Sequence, residues 1–138
     1  MTTTSRESIS ADGAEQVIAA AVAKANEIGV PMVIAVVDES ARLKAFLRMD
    51  GSLLASVDIS QAKANTAVGF GLATDQWYSV IESDPPLLHG ITAIPNFMMI
   101  GGGVPLAGEE GIIGAVGVSG GSYQQDTEVA QAGAAAIG

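Results

Sequence analysis

Ser119 stands in Gly117-Val118-Ser119-Gly120-Gly121, which satisfies G-x-S-x-G, the sharp turn that can present a nucleophilic serine between a strand and a helix. A hydrolase built on that turn needs a histidine after the serine in the chain. The one histidine, His89, lies thirty residues before it. Glycines that let a strand and a helix pack closely are therefore the expected meaning of this stretch. The stretch from Ile100 to Ser122 holds nine of the seventeen glycines. Gly101, Gly102 and Gly103, with the start of the last helix, could also offer backbone N–H groups to an anion.

Four other side chains could do chemistry. His89 has the only side chain here that ordinarily titrates near neutrality, which suits a general acid or base or an axial haem ligand; Pro85, Pro86 and Gly90 stiffen and turn its segment. Arg48, beside Asp50, could anchor a carboxylate bidentately or simply pair with a neighbouring acid at the surface. Lys63 is the one charge on an otherwise apolar helix stripe; it is expected to carry its ammonium out to solvent along its methylene stem, the alternative being a charge aimed into a pocket. The carboxylates of "GEEG" are adjacent, so in a strand they point to opposite faces, and no His/Asp/Glu cluster has metal-ligand spacing. Neither G-x-G-x-x-G nor G-x-x-x-x-G-K-[ST] occurs, since no lysine follows Lys63.

The elements that must position these groups are readable in outline. Ser10 can cap a helix whose apolar positions Ala14, Val17, Ile18, Ala21, Ala25 and Ile28 form one face, ended by Gly29 and Pro31. "MVIAVVD", Met32 to Asp38, reads as a strand buried on both faces, and "RLKAFLRM" as its hairpin partner, closed by Asp50-Gly51. Ser56 to Phe70 reads as a helix with Ile59, Ala62, Lys63, Thr66, Ala67 and Phe70 on its buried side. Thr74 can cap a short helix that "SDPP" breaks, and His89 then falls on a loop. "FMMI" and the glycines read as strand, turn and strand with a hairpin near "GEEG", and Ser122 with Gln125 offers a capping box for a final helix. Strands joined by short turns pair antiparallel, so an α+β domain with helices packed on a sheet is expected.

Composition narrows the function classes. At 138 residues the chain is expected to form a single domain, residues 1–138. Six basic against fifteen acidic residues give a net charge of −9, which repels nucleic acid and anionic membrane surfaces. All six basic residues lie at or before Lys63, so an anionic ligand must use Arg48, Lys63 or their neighbours, His89 or backbone N–H groups. The absence of cysteine excludes disulfides, thiolate catalysis and cysteine-ligated metal centres. "MTTTSRESIS" has no apolar run of signal-peptide type, and a cytoplasmic location is expected.

In the order and at the spacing of "GVPMVIAVVD", "LRMDGSLLASVDIS", "KANTAVGFG", "PLLHG", "GGGVPL" and "GAVGVSGGSYQQDTEVAQAG", the chain resembles the GlcG/HbpS family of small haem-binding-type domains, also found as the C-terminal domain of PduO cobalamin adenosyltransferases. The resemblance implies a profilin-like antiparallel sheet with helices packed on it, and a homo-oligomer. It also implies a cleft shaped by Arg48, Met49, Asp50, Gly51, Lys63, Thr66, Gly102, Gly103, Val104, Pro105 and Ser119 to Gly121. "ITAIPNFMMI" replaces a stretch that carries Asn, Gly and Arg in many members, which makes the cleft more apolar. The expected function is a cytoplasmic, oligomeric domain that binds a small hydrophobic or carboxylate ligand in a catabolic pathway. Haem is the expected cofactor if one is held, with His89 as axial ligand and Arg48, Gly102 and Gly103 around it. The alternative is a cofactor-free isomerase, lyase or hydrolase acting on a small carbonyl or carboxylate compound, with Arg48 positioning the substrate and His89, Asp50 or Lys63 moving protons. A structural subunit without a ligand is the third reading.

Overall fold

A computed structural model describes residues 1–138. Helix α1 spans Ala11–Ile28; Ser10 Oγ accepts the Gly13 N–H at 3.0 Å, and Gly29 ends the helix at φ 83°. Strands β1 (Val33–Asp38) and β2 (Leu43–Arg48) form a hairpin, and α2 covers Ser56–Phe70. A 3₁₀ turn at Thr74–Gln76 leads into α3 (Trp77–Ile81), followed by α4 (Pro85–Gly90) and a second 3₁₀ turn at Ile91–Ala93. The hairpin of β3 (Gly103–Ala107) and β4 (Ile112–Ser119) precedes α5 (Tyr123–Ala135), which starts on the expected Ser122–Gln125 capping box.

The four strands form one antiparallel sheet in the order β2-β1-β4-β3. Because side chains alternate across a strand, each face gathers a different set. Ile34, Val36, Leu106, Val116 and Val118 join the buried faces of α1 and α5 in the main core. Val37 and Ala115 instead meet Ala64 and Ala67 of α2. The expected α+β architecture, an antiparallel sheet with helices packed on it, is what the chain adopts.

The face of α2 that meets the sheet is set by glycine. Phe46, Ala35, Gly117 and Gly103 lie in one row across the four strands. A Cβ at Gly117 would strike the Ser60 carbonyl, and one at Gly103 the Lys63 carbonyl. The backbone of α2 thus rests almost directly on the sheet, and small residues must face it. Ser56, Ser60, Lys63, Ala64, Thr66 and Ala67 are buried, while Phe70, expected inside, is exposed.

Three other expectations are corrected. "FMMI" forms no strand but an irregular segment. His89 lies not on a loop but in the last turn of α4, whose start is capped by Asp84 and whose Pro85 supplies the preset φ of a first helical residue. Thr74 caps nothing with its side chain. Its hydroxyl donates to the Ile100 carbonyl at 2.8 Å and accepts the Gly103 N–H at 2.9 Å, tying the glycine-rich segment to the 3₁₀ turn that follows α2.

Candidate functional site

Lys63 points inward. Its side chain is 2% exposed, and Nζ donates to Asp126 Oδ2 and to the Val118 carbonyl, each at 2.9 Å. The expected route to solvent is overturned because Gly102, next to Nζ, and the carbonyl end of β4 leave a space that the long stem fills. Asp126 comes from the first turns of α5, and its Oδ1 accepts the Gly121 N–H at 2.8 Å. A single buried ion pair therefore joins α2, β4 and α5, and both charges are hydrogen-bonded, as low-dielectric burial demands.

Burial raises the Asp126 carboxyl above its ordinary value of 3.8; the Lys63 ammonium and the Gly121 and Gly120 N–H groups pull it the other way. A raised value means that the folded protein holds this proton more tightly than the unfolded chain. The contribution is fully present below 3.8 and is lost as pH rises through the raised value. The stability advantage of the wild type over Asp126→Asn is thus expected to be larger at about pH 4 than at pH 7. Urea unfolding of both proteins across that range measures it, and an advantage that grows with pH contradicts it.

Above this pair opens a cleft of about 380 Å³. Leu53, Ile59, Met98, Ile100 and Tyr123 form its apolar wall, and Ser56, Lys63, Ser119 and Asp126 its polar floor. Leu53 is 64% and Tyr123 57% exposed, so the rim is apolar surface left open to water. Ser119 Oγ donates to Ser56 Oγ at 3.1 Å, and no histidine lines the cleft. The serine of G-x-S-x-G is thus held by a second serine, with no histidine beside it to take its proton.

The other expected site residues are scattered. Arg48 and Asp50 are exposed at the end of edge strand β2, and His89 is exposed on α4; none of the three lines the cleft. The three ion pairs, Lys24–Glu27, Lys24–Glu128 and Lys63–Asp126, leave Arg48 out, so it makes no pair with Asp50. Gly102 and Gly103 are buried under Lys63, where they admit its ammonium and the α2 backbone. Asp126 was missed by sequence reasoning. Its signal was Lys63 itself, because a lysine on a buried stripe requires a carboxylate elsewhere in the chain.

Residues 9–135 match the family described as haem degrading protein HbpS-like. The chain belongs to the HbpS-like family. The sequence is 35% identical over 132 residues to the corrinoid adenosyltransferase PduO of Citrobacter freundii; the match covers 94% of this chain and 39% of PduO, so this HbpS-like chain spans about two-fifths of that relative. The Klebsiella pneumoniae protein ORFY superposes with a TM-score of 0.92 at 34% identity, covering 99% of this chain and 95% of ORFY. PduOC in its haem complex superposes with a TM-score of 0.85 at 32% identity, covering 94% and 95% of the two chains. This HbpS-like chain has no helix long and apolar enough to cross a membrane.

Proposed function

We propose that the chain is a small-ligand-binding domain whose cleft takes haem or a comparable flat, apolar molecule, and that it works as a cytoplasmic homo-oligomer serving a catabolic pathway. The observation that carries this reading is the open apolar cleft over a satisfied polar floor, in a fold shared with PduOC, which was solved with haem. Leu53, Ile59, Met98 and Ile100 suit the faces of a planar ring, and Tyr123 and Met98 are residue types able to ligate haem iron. Bound haem would supply a metal centre. The chain's own residues exclude water from the ring and keep the floor polar but paired. The exposed apolar rim supports association with further copies. No observation favours the enzyme alternative, since Arg48, Asp50 and His89 do not meet Lys63 in one cleft.

Titration with hemin tests the reading. A shifted Soret band is expected, with affinity falling at least about tenfold in Leu53→Asp, which places a charge at the apolar mouth. His89→Ala is expected to leave the band unchanged. Its loss would instead bring His89 in from a neighbouring copy, and an absent Soret shift in the wild type would sink the haem assignment.

A further inference from the structure

Half of the chain's six basic residues, Arg42, Lys44 and Arg48, fall on or beside β2. All three are exposed and none takes part in an ion pair; the pairs use Lys24 and Lys63 instead. The nearest acids do not offset them. Asp38 Oδ1 accepts the Ser40 and Arg42 N–H groups at 2.9 and 3.0 Å in the β1–β2 turn, Glu39 keeps Oε2 buried in the same turn, and Asp50 lies past the end of the strand. In a protein of net charge −9, β2 is thus an unpaired basic strip.

The same strand is an open edge of the sheet. It pairs with β1 alone. The Met49 N–H bonds to the Met32 carbonyl at 3.0 Å, and hydrogen-bonded pairs alternate along an antiparallel ladder, so Leu47 and Ala45 direct their backbone groups at β1. Phe46 and Arg48 direct theirs outward, where no strand meets them. Because α2 lies over β1, β4 and β3, β2 projects past it, with Phe46 half-buried and Leu43 52% exposed. Leu47, on the opposite face, is 39% exposed. The other edge of the sheet differs. There β3 carries Pro105, which has no N–H to offer, and its Gly103 lies against the α2 backbone.

We infer that β2 is a docking edge for an extended acidic segment of a different protein, which adds a fifth strand to the sheet. Main-chain bonds to Phe46 and Arg48 supply the pairing, apolar side chains of the segment meet Leu43, Phe46 and Leu47, and its carboxylates give Arg42, Lys44 and Arg48 the partners they lack. Lysine and arginine on an edge guard it against pairing with its own kind. That guard excludes a second copy as the occupant: β2 laid against β2 sets like charges side by side, and neither β3 nor β4 contains an acid to offer instead. An acidic strand meets the opposite condition, since the charges that repel a copy attract it.

Amide chemical-shift mapping of the full chain tests this with short synthetic peptides: one alternating glutamate and valine, one with lysine in place of glutamate, and the glutamate peptide with every backbone nitrogen methylated. The glutamate peptide is expected to move the amides of Phe46 and Arg48, to slow their hydrogen exchange, and at low salt to bind at least about tenfold more tightly than the lysine peptide. The difference is expected to shrink as ionic strength rises, and methylation, which removes the strand's donors, to abolish binding. Arg42→Glu/Lys44→Glu/Arg48→Glu, changed at exposed positions only, is expected to reverse the preference. The wild-type comparison decides the matter even if that variant does not fold. Equal binding of the glutamate and lysine peptides, binding undiminished by methylation, shifts centred on Leu53 and Tyr123 in the haem-type cleft, or no shifts at all would overturn the proposal. So would β2 amides that shift with the protein's own concentration, because a second copy then holds the edge. None of these readouts involves hemin, so failure here leaves the cleft's reading untouched.

Discussion

Asp126→Ala is expected to destabilise the protein by about 3–5 kcal/mol, the usual cost of leaving one member of a buried ion pair without its partner. The loss has three parts. Lys63 keeps a buried charge that is left with the Val118 carbonyl, the Gly121 N–H at the start of α5 loses its acceptor, and a void opens beneath the cleft. Lys63→Met should cost less, because the Asp126 carboxyl it leaves behind keeps the Gly121 N–H and, with burial favouring its neutral form, can take a proton, while a thioether side chain fills the lysine's space. The double variant Lys63→Met/Asp126→Leu is expected to recover most of the loss. Chemical denaturation of the four proteins reports the coupling directly. If Asp126→Ala unfolds within about 1 kcal/mol of the wild type, the pair is not the fastening between α2, β4 and α5 that its geometry indicates.

Gly117→Ala is the second substitution with a large expected effect. The added methyl would meet the Ser60 carbonyl and the Ala64 N–H of α2. Backbone cannot move aside as a side chain does, so α2 must lift from the sheet along its length. Overpacking of this kind typically costs 1–3 kcal/mol and occasionally more; about 3 kcal/mol or above is expected here because α2 lies over β1, β4 and β3 together. The cleft floor moves with it, since Ser56 and Lys63 both stand on α2. Gly69→Ala, on the same helix with open space around its Cβ position, is the control and should be neutral or slightly stabilising. Thermal unfolding of both variants checks the contrast, and equal melting temperatures would refute the close approach.

Local chemistry was legible wherever a residue acts through its chain neighbours. Ser10, Gly29, the Asp50-Gly51 turn and the Ser122–Gln125 capping box stop and start elements by bonds or φ angles within a few residues. The β-branched run of β1 declared a central strand for the same reason. Thr74, a plausible cap by spacing, shows the limit of that logic. Its hydroxyl had competing partners in Ile100 and Gly103, far along the chain, and they won.

The sequence by itself determined an α+β chain, the extents of α1 and α2, the β1–β2 hairpin, the start of α5, the family to which the chain belongs and a net charge of −9. Tertiary structure alone decided which of the chemistry-bearing residues share a site. Arg48, Asp50 and His89 dispersed, while Lys63 turned inward to Asp126, a residue sixty-three positions away. The reason is physical. Periodicity reports which face of an element is apolar, but the α2 face is selected by how near its backbone can come to Gly117 and Gly103, and only pairing between distant strands sets that distance.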